Sequence, residues 1–164
     1  MTHFYTVWGQ SRVKLRWHGS DDLPPLHLIT SVHGFCYLDS RLLLVDLRDR
    51  GWDFPGGHIE PREMPESCFK REALEEGYVE GDCKLLGHIS VDHSECPNWT
   101  ENSRYPKIGY QVFYRMDIAQ LHPFEAEFES ARRIFINPAE TQHYYKGWNP
   151  VHKHILEDSL ELKP

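Results

Sequence analysis

Between residues 12 and 18 apolar and polar side chains alternate, which places Val13, Leu15 and Trp17 on one face, the two-residue period of a β-strand. Arg12, Lys14 and Arg16 fall on the other face, so the segment reads as an edge strand with a hydrated basic stripe. Beyond the breaker Asp21-Asp22-Leu23-Pro24-Pro25, a β-rich run over 26–38, the turn Asp39-Ser40 and a second run over 41–47 read as a hairpin. The period then changes. Good helix formers fill 64–76, with Pro65 suited to the first helical position and Gly77 to the stop. Further strands are expected over 84–91 and 107–118, joined by a polar loop, 92–106, long enough to suggest function. A short strand at 134–136 and a last helix, opened by Asn149 as N-cap and Pro150 and running toward Leu160, complete the pattern. No repeat, linker or low-complexity stretch divides the chain, so residues 1–164 read as a single α/β domain in which strands dominate.

Composition sets bounds on this picture. A chain of 164 residues has the length of one domain, and 40% hydrophobic with 26% charged residues describe a soluble globular protein able to bury a core. The longest apolar run, Leu42 to Val45, falls far short of the roughly 18 residues of a membrane span, and the first ten residues lack the basic and apolar regions of a signal peptide. No membrane partner and a cytoplasmic location are therefore expected. Cys36, Cys68, Cys83 and Cys96 are scattered without a C-x-x-C pair, which fits reduced thiols. A net charge of -7 repels long nucleic acids. A small phosphorylated molecule is still accessible to such a protein if it holds a divalent cation, which reverses the local sign of the field.

The candidate chemistry is concentrated in Gly56-Gly57-His58-Ile59-Glu60-Pro61-Arg62-Glu63 and, seven residues on, Arg71-Glu72-Ala73-Leu74-Glu75-Glu76. At 3.6 residues per turn, Glu72, Glu75 and Glu76 share an arc of about 100°. Cys68, Phe69 and Ala73 lie within or beside that arc, so the acids adjoin the apolar face instead of opposing it. Carboxylates clustered beside a packed face need a counter-charge, and hard oxygen ligands select Mg²⁺ or Mn²⁺. Gly56-Gly57, after Trp52-Asp53-Phe54, permits a backbone turn that brings a carbonyl or amide close to a metal or phosphate. The combined pattern G-x5-E-x7-R-E-x-x-E-E has a chance frequency on the order of 10⁻⁵ per chain.

At these residues the sequence resembles the Nudix hydrolase family, and the run Asp49-Arg50-Gly51-Trp52-Asp53-Phe54-Pro55-Gly56-Gly57 gives it a MutT-like look. Gly57, Glu63, Arg71, Glu72, Glu75 and Glu76 match the family motif, which spans Gly57 to Val79. Two positions depart from it: Ala73 stands where a larger aliphatic is usual, and Gly77-Tyr78 stands where x-Gly is expected. The displaced glycine predicts a helix that ends about one residue early or with altered geometry. The resemblance implies an α/β/α sandwich with a mixed sheet and a catalytic helix at about 64–76. It also implies a divalent-cation-dependent hydrolase acting on a nucleoside diphosphate linked to another moiety, with a nucleoside triphosphate as the first substrate to consider. ADP-ribose, a dinucleoside polyphosphate, or a non-catalytic nucleotide-sensing role are the alternatives.

Within that reading Glu72 and Glu76 are the expected metal ligands, and Glu75 is a third ligand or the base that deprotonates water. Gly56 or Gly57 can add a backbone carbonyl, while Glu63 caps the helix amides or binds metal through water. Arg71 orients Glu75 through an i, i+4 contact or reaches Glu63. Glu125, Glu127 and Glu129 form a reserve from which an acid such as Glu127 could supply the base. Trp52, Tyr105 and Tyr110 can stack on a base, and Arg104 in the 92–106 loop can meet substrate anions. That loop, with Asn98, Trp99 and Asn102, is the expected seat of substrate selectivity or a subunit contact, so a homodimer is one assembly the sequence allows. Asp92, His93 and Cys96 match no closed four-ligand zinc site.

Overall fold

In a computed structural model of the chain, which describes residues 2–162, nine strands among those residues form one mixed sheet. They are β1 (His3–Trp8), β2 (Ser11–Gly19), β3 (Ile29–Leu38), β4 (Arg41–Leu47), β5 (Gly51–Asp53), β6 (Gly56–Gly57), β7 (Val79–Asp92), β8 (Ile108–Leu121) and β9 (Ser130–Ile136). The path runs β1-β2-β7-β8-β3-β4-β5, antiparallel throughout except where β3 lies parallel to β8. The hairpin β3–β4 forms as expected, but its strands pair only next to the turn, at Tyr37 with Leu42 and Leu38 with Arg41. Beyond that point they separate. β4 continues with β5 and β9, while β6 docks on β3 through Val32 with Gly57 and His33 with Gly56. The glycine turn is thereby seated where the sheet opens.

A helix covers each face, giving the α/β/α sandwich that the motif implied. On one side α1 (Pro65–Glu72) runs into a π-helical turn, Ala73–Gly77, and buries Cys68, Phe69 and Ala73 against Val32, Val112 and Met116. On the other, α2 (Pro150–Glu161) sets Val151, Ile155 and Leu156 against Val13, Leu15, Trp17 and Phe113. The alternation of residues 12–18 is the cause: its apolar face meets α2, where the Trp17 indole donates to Asp158 at 2.7 Å. Asn149 caps α2 by accepting from the amides of Val151 and His152 at 2.8 and 3.1 Å. Among the described residues, no helix is long and apolar enough to cross a membrane.

One expectation is corrected and another is met in one of its two forms. The segment 12–18 is not an edge, because β1 pairs along it from His3 with Arg16 to Trp8 with Ser11. β1 is largely exposed and lacks a clean alternation, which hides it in the sequence. Of the two outcomes expected from the displaced glycine, the acidic helix shows the altered geometry and not the early stop. It runs through Gly77, and Tyr78 takes the left-handed conformation (φ 56°, ψ 41°) in the position where glycine is usual. Packing explains the exchange, since a Cβ on Gly77 would lie 2.7 Å from Leu43. The wider turn is a π-bulge, and it carries Glu75 and Glu76.

Candidate active site

The chain folds its acids around one cation, Arg71. Its guanidinium donates to both oxygens of Glu63, at 2.7 and 3.0 Å, and reaches Glu72 at 3.0 Å and Glu75 at 3.5 Å. Both positioning roles expected of Arg71 are present together. The bidentate bond from Arg71 holds the Glu63 carboxyl down at about 2, and the Glu60 amide, 3.1 Å away, adds to it. Glu63 does not cap α1. Met64 occupies the cap position without a side-chain hydrogen bond, and the oxygens of Glu63 face Arg71 and Glu60 instead.

Glu76 has the opposite environment. Its side chain is 1% exposed, Oε1 accepts from the Gly56 amide at 2.9 Å, and Oε2 has no hydrogen-bond partner. Burial pushes its carboxyl up to about 8 against the opposing Gly56 bond, with the charges of Glu72 and Glu129 adding to the rise. Burial raises Glu72 as well, opposed by Arg71. Glu72 lies directly beneath the glycine turn: a Cβ on Gly57 would sit 2.5 Å from its Oε1, so glycine is what lets strand and helix approach. Among the described residues no three His, Cys, Asp or Glu side chains form a ready-made metal cluster. The three glutamates are instead engaged singly by Arg71 and Gly56.

These groups border a cavity of about 780 Å³. Gly56, Gly57, Arg71 and Glu72 form one part of its wall, and His33, Arg50, His58 and Gln111 another. Of the residues expected at the substrate, Tyr105 lines this cavity and Trp52 lines a neighbouring one, where Tyr144 meets its ring edge at 6.1 Å and Arg132 lies 5.0 Å over its face. Arg104 lines neither and rests 5.3 Å over the Tyr105 ring. The 92–106 loop contributes only His93, Tyr105 and Pro106 to the cavity, while Asn98 and Trp99 hold the loop through Gln10 and Tyr105 carbonyls. Of the reserve acids it is Glu129, not Glu127, that reaches the cavity; the Glu127 amide donates instead to the Tyr78 hydroxyl at 2.9 Å. Ser130 fixes the same segment by donating to the Glu76 carbonyl at 2.6 Å. His33, Arg50 and Gln111 were not singled out by sequence. Arg50 stands next to the glycine-turn motif, whereas His33 and Gln111 reach the cavity only through strand register.

Comparison with known proteins bears on this site. The NUDIX domain family model matches residues 27–158. The putative 8-oxo-dGTP diphosphatase YtkD of Bacillus subtilis is 38% identical over 72 residues, a stretch spanning 43% of this chain and 46% of that protein, so less than half of that relative is matched. Among solved structures, the pyrophosphohydrolase BsRppH of Bacillus subtilis, solved as a point mutant, superposes with a TM-score of 0.71 over 98% of this chain and 97% of its own, at 23% identity. The NUDIX domain of Shewanella oneidensis NrtR complexed with ADP ribose gives a TM-score of 0.57 over 81% and 86%, at 18% identity. At these identities both structures speak for the fold.

Proposed function

The chain belongs to the NUDIX domain family, a hydrolase family acting on phosphorus anhydrides, and from that premise we propose that it cleaves a nucleoside triphosphate in a divalent-cation-dependent reaction. The observation that carries the reading is Glu76: a carboxylate buried beside Glu72 with one oxygen unpartnered needs a positive charge that the protein itself does not supply. The donor set is all hard oxygen, which fits Mg²⁺ or Mn²⁺. When bound, such an ion neutralises phosphate oxygens and activates water.

The protein's own groups then have distinct tasks. Glu72 and Glu76 would hold the ion, with Glu72 packed directly beneath the Gly57 backbone. Glu75, partly exposed and only 3.5 Å from Arg71, accepts the proton of the attacking water or serves as third ligand. Arg71 orients Glu72 and Glu75 while neutralised in large part by Glu63. Arg50 places a guanidinium on the cavity wall where a phosphate chain would pass. The name of the Bacillus subtilis relative supports a nucleoside triphosphate, an oxidised one included, and the ADP-ribose complex of the Shewanella oneidensis domain keeps ADP-ribose in the test panel. The test is release of phosphate and pyrophosphate from deoxy- and ribonucleoside triphosphates, 8-oxo-dGTP, ADP-ribose and dinucleoside polyphosphates with Mg²⁺ or Mn²⁺. Turnover of a triphosphate that stops in excess EDTA supports the reading; full turnover in EDTA overturns it.

A further inference from the structure

The two sides of the sheet end differently. On one side β5 is three residues long and closes on Asp53, and β9 carries Arg132 and Arg133, so short length and charge blunt the edge. On the other, β1 runs for six residues, His3 to Trp8, with no Lys, Arg, Asp, Glu or Pro, and it pairs with β2 without a bulge. Among the described residues no strand but β2 pairs with it. Tyr5, Val7 and Trp8 are 36%, 63% and 44% exposed. An edge of this kind is open to pairing with a further strand. The ladder shows which backbone groups are free. The Trp17 amide donates to the Thr2 carbonyl at 3.0 Å, so Thr2 and Trp17 form a hydrogen-bonded pair. Such pairs alternate along an antiparallel ladder, so Phe4, Thr6 and Trp8 turn their N–H and C=O groups toward β2, and those of His3, Tyr5 and Val7 point away from the sheet.

We infer that β1 is the contact between two copies of this chain, joined antiparallel about a twofold axis at Tyr5. The strand itself argues for this occupant. With Tyr5 opposite Tyr5 of the partner subunit, His3 falls opposite Val7 of the partner subunit and Val7 opposite His3 of the partner subunit. Every outward residue then meets an outward residue, and about six N–H···O bonds form. A shift of register by two residues leaves one outward residue of each copy unpaired. On the other face Phe4 falls opposite Thr6 of the partner subunit and Thr2 opposite Trp8 of the partner subunit, aromatic against β-branched, a favourable cross-strand combination. Charge selects the same edge. The chain carries a net charge of -7, yet residues 1–20 contain no Asp or Glu, so two acidic copies meet least repulsion here. The cations of β2, Arg12, Lys14 and Arg16, lie three strand spacings from their counterparts, about 14 Å, which is beyond the roughly 8 Å screening length of physiological salt. The contact ends on Trp8, which lines both cavities, and it does not depend on the hydrolase reading.

The test reads both the association and its register. Sedimentation velocity of the full chain should show a monomer–dimer equilibrium with a Kd on the order of 10 μM, weak because a single strand edge buries little surface. Val7→Lys places a charge on the exposed edge and should raise that Kd by about tenfold or more, with the thermal melt unchanged. Tyr5→Cys reports the register. Opposed Cα atoms of a hydrogen-bonded pair lie about 5.5 Å apart, inside the roughly 4.4–6.8 Å that a disulfide spans, so oxidised glutathione should link two Tyr5→Cys chains into a covalent dimer. Val7→Cys should not link, because the two Val7 positions are displaced by roughly 13 Å along the strands. Wild type treated in parallel accounts for Cys36, Cys68, Cys83 and Cys96. Val7→Lys decides the matter even if the cysteine variants fold poorly. A chain that stays monomeric up to about 1 mM, a Val7→Lys dimer as tight as that of wild type, or a Tyr5→Cys protein that links no faster than Val7→Cys overturns the proposal.

Discussion

The two ends of the acidic helix carry the same residue type in opposite electrostatic states. Before its first turn, Glu63 is held by a bidentate bond from Arg71, which keeps its carboxyl near 2. In its last turn, Glu76 is buried with an empty oxygen, and burial drives its carboxyl to about 8. One glutamate already has its counter-ion inside the protein. The other has none, and under the proposed function a bound cation would supply it. Under the proposed function the helix would separate two duties that sequence alone assigns to a single motif: a latch that fixes geometry, and a ligand whose cost in the metal-free fold would be offset when a cation binds.

The largest expected effect comes from breaking the ligand end. Glu76→Gln keeps the volume and can keep the Gly56 hydrogen bond while removing the negative charge. Loss of an inner ligand should cost at least the roughly 10- to 100-fold typical of outer-shell groups, measured as steady-state kcat/KM on the best panel substrate. The same variant should melt no lower than wild type in EDTA, because a neutral amide is easier to bury than a charge. A folded variant with near wild-type turnover would remove Glu76 from the metal site.

Breaking the latch should cost less activity and more stability. Arg71→Lys retains a charge but loses the planar fork that spans Glu63 and reaches Glu72. The expected loss is about 1.5–3 kcal/mol of stability, at roughly 2–4 °C of Tm per kcal/mol for a chain of this size. Activity should fall by about 10- to 100-fold as the acids lose their orientation. Activity loss exceeding that of Glu76→Gln, with no fall in Tm, would reverse the assignment of the two ends.

The contrast should also appear in the pH dependence of stability. Glu76, with a folded value near 8 against an ordinary 4.5, keeps in the folded state a proton that the unfolded chain releases between those values, so its contribution to stability falls as pH rises from 4.5 to 8. Glu63, near 2 in the folded state, contributes stability that is present above 4.5 and lost as pH falls through 2. Thermal melts in EDTA should therefore show Glu76→Gln gaining on wild type at pH 8.5 but not at pH 4.5, and Mg²⁺ should narrow that gap by stabilising wild type. Parallel curves for the two proteins from pH 4.5 to 8.5 would contradict the buried, uncompensated state of Glu76.

Much of this was legible in the sequence because it rests on period and capping. The alternation at Val13, Leu15 and Trp17, the Pro65 start, the Asn149 cap and the convergence of Glu72, Glu75 and Glu76 beside Phe69 follow from local geometry, and the fold places them accordingly. What was not legible depends on tertiary pairing. The opening between β3 and β4 that seats Gly56 and Gly57 arises from the partners each strand finds, and no local signal announces it. His33 and Gln111 reach the cavity through register alone. The preference for Glu129 over Glu127 is set by Tyr78 and Ser130, which anchor an irregular segment that has no period to read.

Tyr78 offers the smallest and sharpest test of the buried end. A non-glycine residue in the left-handed conformation costs about 1–2 kcal/mol, so the side chain must return something by its contacts. Its hydroxyl accepts from the Glu127 amide at 2.9 Å, and its ring meets Phe124 and Phe128 at 5.0 and 6.4 Å. Tyr78→Phe loses only the hydrogen bond and should lower stability by about 0.5–1.5 kcal/mol, a Tm change of a few degrees. Tyr78→Gly relieves the backbone but also loses the ring, and should be the less stable of the two variants because the 122–129 segment is then untied. That segment should also become the first site cut in limited proteolysis of Tyr78→Gly. If Tyr78→Gly melts above wild type, the tyrosine is a tolerated misfit at a glycine position, and the placement of Glu129 on the cavity wall owes nothing to it.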